Sequence, residues 1–170
     1  MQQGKMYLGK AEYINNGTDM AYTFLHISGE DEKVAETLYN MKYYNQAVYF
    51  LIQSMEKYVK HAICKKIDAT NPYFAEKIRK IGHSIDELIN FLIEIIAGND
   101  KNLKEHIDLQ IRHTICHNIK FTVIYNAVRY PAYNERKNNY KTLNMNSQDY
   151  DELYKIYNAL KKALKDFDRI

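Results

Sequence analysis

The feature of this sequence that most constrains its fold is the segment from Leu103 to Arg129, which contains neither glycine nor proline and ends just before Pro131. Because helix-breaking residues are absent, the segment is predicted to form one long helix. At about 100° per residue, its apolar side chains fall on one broad arc, the face expected to pack against a core. These side chains are Leu103, Ile107, Ile111, Ile115, Phe121 and Tyr125.

A second arc of the same predicted helix carries cationic and titratable groups. Three of the six histidines of the chain share this arc with an arginine. Imidazoles titrate near neutral pH, and a guanidinium binds a phosphate through two parallel hydrogen bonds. The arc therefore indicates chemistry on a phosphate group. Its members are Arg112, Cys116, Lys120, His113, His106 and His117.

Length and composition bound the fold class. A chain of 170 residues is expected to form one domain with a real core. Hydrophobic residues make up 46% and charged residues 26%, and there are only two prolines and six glycines. These values predict an all-α fold. The net charge of +3 is too small to indicate a nucleic-acid binder by itself.

The first half of the chain is predicted to contain an arm and two helices. Residues 1–30 have no clean period and are treated as an N-terminal arm whose structure, a short helix, a strand or an irregular segment, the pattern leaves open. Asp31 is a plausible N-cap for the first helix, and the pattern allows a break near residues 40–43. The second helix covers about residues 44–67, with a Glu56–Lys60 ion pair expected on its outer side.

Caps delimit the later helices. A short helix is expected to end at Gly82, and a capping box begins the next helix at Ser84. Gly98 suits the position that ends that helix, and Ser147 is predicted to cap the last one. The whole pattern predicts a four- to five-helix up-and-down bundle over residues 31–170. The last helix has an apolar seam of Leu153, Tyr157, Leu160, Leu164 and Phe167.

Cysteine usage and hydropathy predict a cytoplasmic protein. The two cysteines, Cys64 and Cys116, lie on predicted helices, which fits a reducing compartment better than a disulfide framework. No basic-then-apolar leader opens the sequence, and the longest apolar run, residues 88–97, is too short to cross a bilayer. We therefore expect no membrane association.

The pair formed by Arg112 and His117 is the candidate catalytic motif. His117 is predicted to accept a proton from a ribose 2′-hydroxyl and to return one to the leaving oxygen, while Arg112 stabilises the phosphate. The two residues are about 140° apart on an ideal helix, so two antiparallel copies across a two-fold axis would focus them better. The motif therefore predicts a homodimer. A helix surface on which histidines are only polar filler is the alternative.

A metal site is the rival for the same residues. His113 and His117 have the i, i+4 spacing that can chelate zinc on a helix. His106 lies about 10.5 Å farther along the helix axis, and no carboxylate completes the set on that face. We therefore expect neither a metal nor another cofactor.

Three segments, taken in order, resemble the HEPN superfamily of small helical proteins. Tyr44–Ile63 is similar to the second helix of that family. His83 to Leu88 is similar to the His-x-Leu opening of the next helix, and Arg129 to Pro131 resembles the Arg-Tyr-Pro that ends the fourth helix. The residues of the first segment that match the Ala and Glu-Lys signature are Ala47, Glu56, Lys57, Lys60 and Ala62.

The resemblance implies a function. Many members carry an arginine followed after four to six residues by a histidine, and Arg112, His113 and His117 occupy those places. Such members resemble metal-independent endoribonucleases that act as dimers, leave a 2′,3′-cyclic phosphate, and serve as toxins or anti-phage effectors. In some toxins a tyrosine two residues after the histidine is modified by a nucleotidyltransferase. This sequence has Ile119 there, which argues against that form of control.

Two roles remain open besides the active nuclease. The chain is alternatively a non-catalytic interaction module that partners a nucleotidyltransferase, or a module that binds nucleotides. An antitoxin is the partner expected if the chain is a toxin. For the nuclease, RNA is the expected substrate. The cations predicted to contact its backbone are Lys120, Arg129, Arg136, Lys137 and Lys141. An ordinary solvated loop is the alternative for the last four of these residues.

Overall fold

A computed structural model describes residues 13–14 and 16–167. The all-α class is confirmed, since only one short hairpin interrupts the helices of the described residues. No helix of this part of the chain is long and apolar enough to cross a membrane. The elements are α1 (Gly17–Asn40), α2 (Tyr44–Cys64), α3 (Pro72–Ile81), α4 (Ile85–Ala97), α5 (Lys101–Asp108), a π-helical segment (Leu109–Ile115), α6 (Phe121–Ala127), β1 (Ala132–Asn134), β2 (Asn139–Lys141) and α7 (Ser147–Asp166).

Helix α2 lies at the centre of the fold, in contact with α1, α4, α6 and α7. The largest buried aliphatic side chains of α2 are at most 1% exposed, and burial of each contributes about 1.5–3 kcal/mol. This central position explains why its apolar residues cover more of the helix than one stripe. The side chains are Leu51, Ile52, Met55 and Ile63.

Helix α1 begins earlier than the sequence predicts. The side chain of Asn16 accepts a hydrogen bond from the backbone N–H of Asp19 (2.8 Å) and caps the helix. The expected start at Asp31 is therefore wrong, and residues 17–30 of the expected arm form the first half of a helix that packs along α2. Residues 1–12 and 15 lie outside the described residues. The break after Asn40 is confirmed, with Lys42 in the left-handed region (φ 65°).

Helix α7 packs on α1 and α2 through its predicted apolar seam, all five members of which are buried. The Tyr157 hydroxyl lies 2.9 Å from Ser28 Oγ and 2.8 Å from Ser54 Oγ, joining three helices inside the core. Burial raises the pKa of Tyr157. The predicted cap Ser147 is wrong by one residue: Asn146 caps α7 and forms a reciprocal capping box with Asp149.

The predicted ends of α3 and α4 are confirmed. Ser84 Oγ accepts a hydrogen bond from the backbone N–H of Glu87 (3.3 Å), and Gly98 follows α4 with φ 54°. Gly82 ends α3 with φ 64°. Both glycines have the positive φ that side chains with a Cβ rarely adopt.

The prediction of one long helix from Leu103 to Arg129 is wrong. Helix α5 passes into the π-helical segment, in which the N–H of Cys116 donates to the Ile111 carbonyl five residues back (2.8 Å). A turn at residues 116–120 then precedes α6. The predicted core face is confirmed: Ile107, Ile111, Phe121 and Tyr125 are buried, and Leu103 and Ile115 pack against them.

The break in this segment follows from which side chains are buried. Cys116 is buried together with the side chains of the predicted core face, and its exposed fraction is 2%. On an ideal helix it would lie on the polar arc instead. Ile111, Cys116 and Phe121 are five residues apart, which is about 140° per step on an α-helix. A π-helix followed by a turn allows all three to face the same core. Burial of Cys116 therefore replaces the straight helix with a bent one.

The segment after Pro131 contains a β-hairpin. β1 pairs antiparallel with β2, with Tyr133 opposite Tyr140 and Ala132 opposite Lys141. The rings of the two tyrosines lie 5.4 Å apart, which stabilises the pair across the strands. Asn138 adopts the left-handed conformation (φ 48°) that the tight turn requires.

Candidate functional site

Arg112 lies on the π-helical segment, and its guanidinium joins that segment to α4. Its Nε donates to Asp108 Oδ1 (2.7 Å), and its Nη2 donates to the Asp86 carbonyl (3.0 Å) and to the Asn90 side chain. Its Nη1 lies 3.8 Å from Asp86 Oδ1, beyond hydrogen-bonding distance. We call Arg112, Asp86, Asn90 and Asp108 the Arg112 cluster. Two carboxylates balance the charge of this arginine.

His117 lies in the turn that follows the π-helical segment. Its φ is 50° and that of Asn118 is 58°, so two consecutive residues with a Cβ adopt the left-handed conformation. Each such residue costs on the order of 1–2 kcal/mol, and asparagine tolerates it best. The imidazole of His117 is exposed and makes no hydrogen bond to any of residues 13–14 and 16–167. It is therefore available to a ligand.

The turn changes the relation between Arg112 and His117 from the one expected on an ideal helix. The N–H of Asn118 donates to the carbonyl of Arg112 (2.8 Å), so the backbone after His117 folds back to the start of the motif. The separation of about 140° around an α-helix does not apply to this geometry. The structure brings the two residues into one compact backbone loop.

His113 faces a different region from Arg112. It lines a groove of about 670 Å³ between α4 and α5. Four carboxylates line this groove against two lysines and the histidine, which disfavours a phosphodiester there. Arg112 instead lines a cavity of about 20 Å³ together with Asn118 and Lys120. The carboxylates of the large groove belong to Glu87, Glu94, Glu105 and Asp108.

Both thiols of the chain are buried and free. Burial raises the pKa of Cys116 to about 12, which the nearby Arg112 only partly offsets. Burial also raises the pKa of Cys64 to about 11. Because the thiolate is the reactive form, neither cysteine is suited to act as a nucleophile near neutral pH.

The basic residues predicted to bind RNA lie in three places. Lys120 is exposed in the turn beside Arg112. Arg136 and Lys137 lie in the 3-10 turn at the tip of the hairpin, and Lys141 lies on β2. Arg129 is exposed after α6, in contact with aromatic rings. The structure therefore groups the hairpin cations together and puts Arg129 in a separate site.

The guanidinium of Arg129 lies against three tyrosine rings. Its Cζ is 4.9 Å from the ring centre of Tyr125, 5.4 Å from that of Tyr49 and 4.7 Å from that of Tyr130. Its Nη2 donates to the Tyr130 hydroxyl (2.7 Å). Tyr49 and Tyr125 stack on each other at 5.3 Å. Burial, with the contact to Tyr49, raises the pKa of Tyr125 to about 12, so its phenol stays neutral.

His83 stacks on Tyr125, with 6.1 Å between ring centres and 21° between planes. Its Nδ1 donates to Glu56 Oε2 (3.0 Å), and Glu56 is only 2% exposed. Lys60 Nζ donates to the other carboxylate oxygen (2.7 Å). The predicted Glu56–Lys60 pair is thus present, but its expected place on the outer side of α2 is wrong, because both residues are buried. We call Arg129, Tyr49, Tyr125, Tyr130, His83 and Glu56 the Arg129 cluster.

The sequence predicts an RNA contact for Arg129 but does not predict the cluster around it. Three segments of the chain each contribute one charged or titratable group to this cluster: Glu56, His83 and Arg129. The segments are distant in sequence, and the folded chain brings them together around Tyr125.

The two clusters adjoin through the first residues of α4. Ser84, which follows His83, has its Oγ 3.3 Å from Thr122 Oγ1. Thr122 Oγ1 in turn donates to Asp86 Oδ2 (3.2 Å), and Asp86 belongs to the Arg112 cluster. The start of α4 therefore carries side chains of both clusters.

Within the part of the chain that is described, no three histidine, cysteine, aspartate or glutamate side chains are grouped to hold a metal ion. The i, i+4 helical geometry expected of His113 and His117 as a zinc pair is lost in the turn. Comparisons of the chain with protein-family models, curated proteins and solved structures give no match.

Proposed function

We propose that the chain is a metal-independent endoribonuclease of the HEPN type, acting in the cytoplasm as a toxin or anti-phage effector. One observation carries the proposal: the backbone leaves helical geometry between Arg112 and His117, where a π-helical segment meets two left-handed residues. π-helical turns and strained backbone are concentrated at functional sites. Here the turn with the two left-handed residues also carries the exposed imidazole that the chemistry requires.

His117 carries the proton transfers in the proposed reaction. Its neutral imidazole removes the proton of a ribose 2′-hydroxyl, and the 2′-oxygen attacks the adjacent phosphorus. The bond from phosphorus to the 5′-oxygen breaks, and the imidazolium returns the proton to that oxygen. The products are a 2′,3′-cyclic phosphate and a 5′-hydroxyl, so neither a metal nor another cofactor enters the balance.

Arg112 stabilises the phosphate as negative charge develops on it. Asp108 and Asp86 hold the guanidinium in place and balance its charge in the resting state. The contribution of Arg112 to RNA affinity is therefore small, and the interaction through Nη1 strengthens in the transition state. His113 has a secondary role that acts through the Arg112 cluster and not on the RNA itself, because Asn90 and Asp108 line the same groove.

A composite site between two copies is part of the proposal. Leu109 on the π-helical segment is 56% exposed, and Val123 on α6 is 65% exposed. Exposed apolar side chains that flank a functional turn support an interface between subunits there. In a two-fold dimer the exposed imidazole of one copy faces the arginine of the other.

The test is digestion of mixed RNAs in the presence of a chelator, followed by analysis of the fragment ends. The parent chain is expected to leave 2′,3′-cyclic phosphates. His117→Ala is expected to reduce the rate by at least about 100-fold, the usual contribution of a general acid–base group, without changing the helical circular dichroism. His106→Ala removes another exposed histidine and serves as the matched control. Equal rates for His117→Ala and the parent contradict the proposal.

A non-catalytic interaction module is the second candidate, favoured by one observation. The guanidinium of Arg112 is already engaged by Asp108, Asp86 and Asn90, as a purely structural arginine would be. In that case the chain partners a nucleotidyltransferase or an antitoxin. Expression in growing cells separates the two functions. Toxicity that Arg112→Ala removes supports the nuclease, and harmless expression of the parent supports the module.

A further inference from the structure

We propose that the Arg129 cluster binds one nucleotide of a single-stranded RNA, with its base stacked on Tyr130 and its phosphate on Arg129. The inference rests on the proposed function in that RNA is the substrate. It assigns His83, Glu56 and the tyrosines to recognition, a role separate from cleavage at His117.

The arginine of this cluster is held without loss of its charge. Its guanidinium lies within 5.4 Å of three ring centres, and the one hydrogen bond it makes among the described residues is to the Tyr130 hydroxyl. Aromatic rings fix the plane of the guanidinium but do not neutralise it. Arg129 is exposed, so its remaining donors are accessible to a phosphate.

Tyr130 supplies the surface for a base. Its side chain is 57% exposed, although Arg129 contacts both its ring and its hydroxyl. A ring held in place and open to solvent is the usual platform for an unpaired base. Stacking of this kind is worth roughly tenfold or more in affinity for each base.

His83 supplies a hydrogen-bonding group at the edge of the stack. Because Nδ1 donates to the buried carboxylate of Glu56, Nε2 is left for a ligand, and the side chain is 66% exposed. Lys60 offsets the charge of Glu56 inside the protein. The exposed face of the cluster is therefore cationic and aromatic, a combination that suits a nucleotide better than an acidic peptide.

The position of the cluster suits a strand that continues to the cleavage turn. The hydrogen bonds from Ser84 through Thr122 to Asp86 connect His83 to the Arg112 cluster along the start of α4. An RNA strand bound at Tyr130 can follow this edge toward His117. The cluster then positions the strand while the turn cleaves it.

The experiment measures binding of a fluorescent single-stranded RNA in which every 2′-oxygen is methylated, so that it cannot be cleaved. Tyr130→Ala is expected to weaken binding by about tenfold. Arg129→Lys keeps the charge but loses the planar group, and a weakening of at least threefold is expected. Tyr22→Ala, which removes a tyrosine of α1 that is 64% exposed, is the matched control and leaves the affinity unchanged.

The outcomes distinguish this inference from the proposed function. If Tyr130→Ala and Arg129→Lys bind the RNA as the parent does, the site is wrong, whatever His117→Ala does to cleavage. If those variants lose binding while His117→Ala still cleaves, the Arg129 cluster is supported as the binding site and the mechanism through His117 is contradicted. If polyglutamate displaces the probe as well as unlabelled RNA does, the cluster recognises negative charge alone, and the inference is overturned.

Discussion

The two clusters hold an arginine and a histidine in opposite ways. In the Arg112 cluster, carboxylates hold the arginine, and the nearby imidazole of His117 makes no hydrogen bond to the part of the chain that the structure describes. In the Arg129 cluster, a buried carboxylate holds the imidazole of His83, and the arginine rests on uncharged rings. The first arrangement leaves an imidazole free to exchange protons, and the second leaves a cation free to bind a phosphate. The proposed cleavage and the proposed strand binding thus fall in neighbouring but distinct places.

The largest loss of stability is expected from removing Glu56, the buried carboxylate that holds the imidazole of His83. Glu56→Ala removes a carboxylate that is 2% exposed and leaves Lys60 buried without its counter-charge. Loss of one partner of a buried pair costs about 3–5 kcal/mol in the free energy of unfolding. Urea denaturation measures this change.

The matched control for that variant is Glu76→Ala, which removes the carboxylate of an i, i+4 pair with Lys80 on the surface of α3. Exposed pairs contribute about 0–1 kcal/mol. If Glu56→Ala costs no more than Glu76→Ala, the carboxylate under His83 is not the buried anchor described for the Arg129 cluster.

A smaller effect is expected from the turn that exposes His117. Asn118 has φ 58°, a conformation that asparagine tolerates and alanine does not. Asn118→Ala should lower the free energy of unfolding by about 1 kcal/mol, whereas Asn118→Gly should not lower it. Asn102→Ala, on helix α5, is the control for loss of an exposed asparagine. Equal stability of Asn118→Ala and Asn118→Gly would mean that residue 118 is not left-handed.

The sequence predicted those parts of the fold that depend on local rules. The caps at Ser84 and Gly98 and the apolar seam of α7 follow from residue type and period, and all are present. The break after Ile115 was missed because it depends on the burial of Cys116, a tertiary contact that overrides helix periodicity. The early start of α1 was missed because residues 17–30 pack on α2 without a clean period of their own.

The candidate sites were predictable to different degrees. Arg112 and His117 are close in sequence, so their spacing and their shared position opposite the core face of a predicted helix were enough to single them out. Glu56, His83 and Arg129 are far apart in sequence, and only the packing of α2, α4 and α6 brings them around Tyr125. The role of Glu56 was not predicted because the sequence placed this residue on the outer side of α2. A helical wheel of a single helix does not show that another helix covers the polar face.

The proposal that Arg112 serves cleavage and Arg129 serves RNA binding is tested most directly by the variants Arg112→Gln and Arg129→Gln. Affinity and the single-turnover rate at saturating protein would be measured on the same RNA. Arg112→Gln is expected to reduce the rate by about 100-fold with little change in affinity, because its charge is balanced before the reaction. Arg129→Gln is expected to weaken binding by about tenfold and to leave the saturated rate unchanged. The reverse pattern, or the same loss in both variants, would contradict the assignment of cleavage to one cluster and binding to the other.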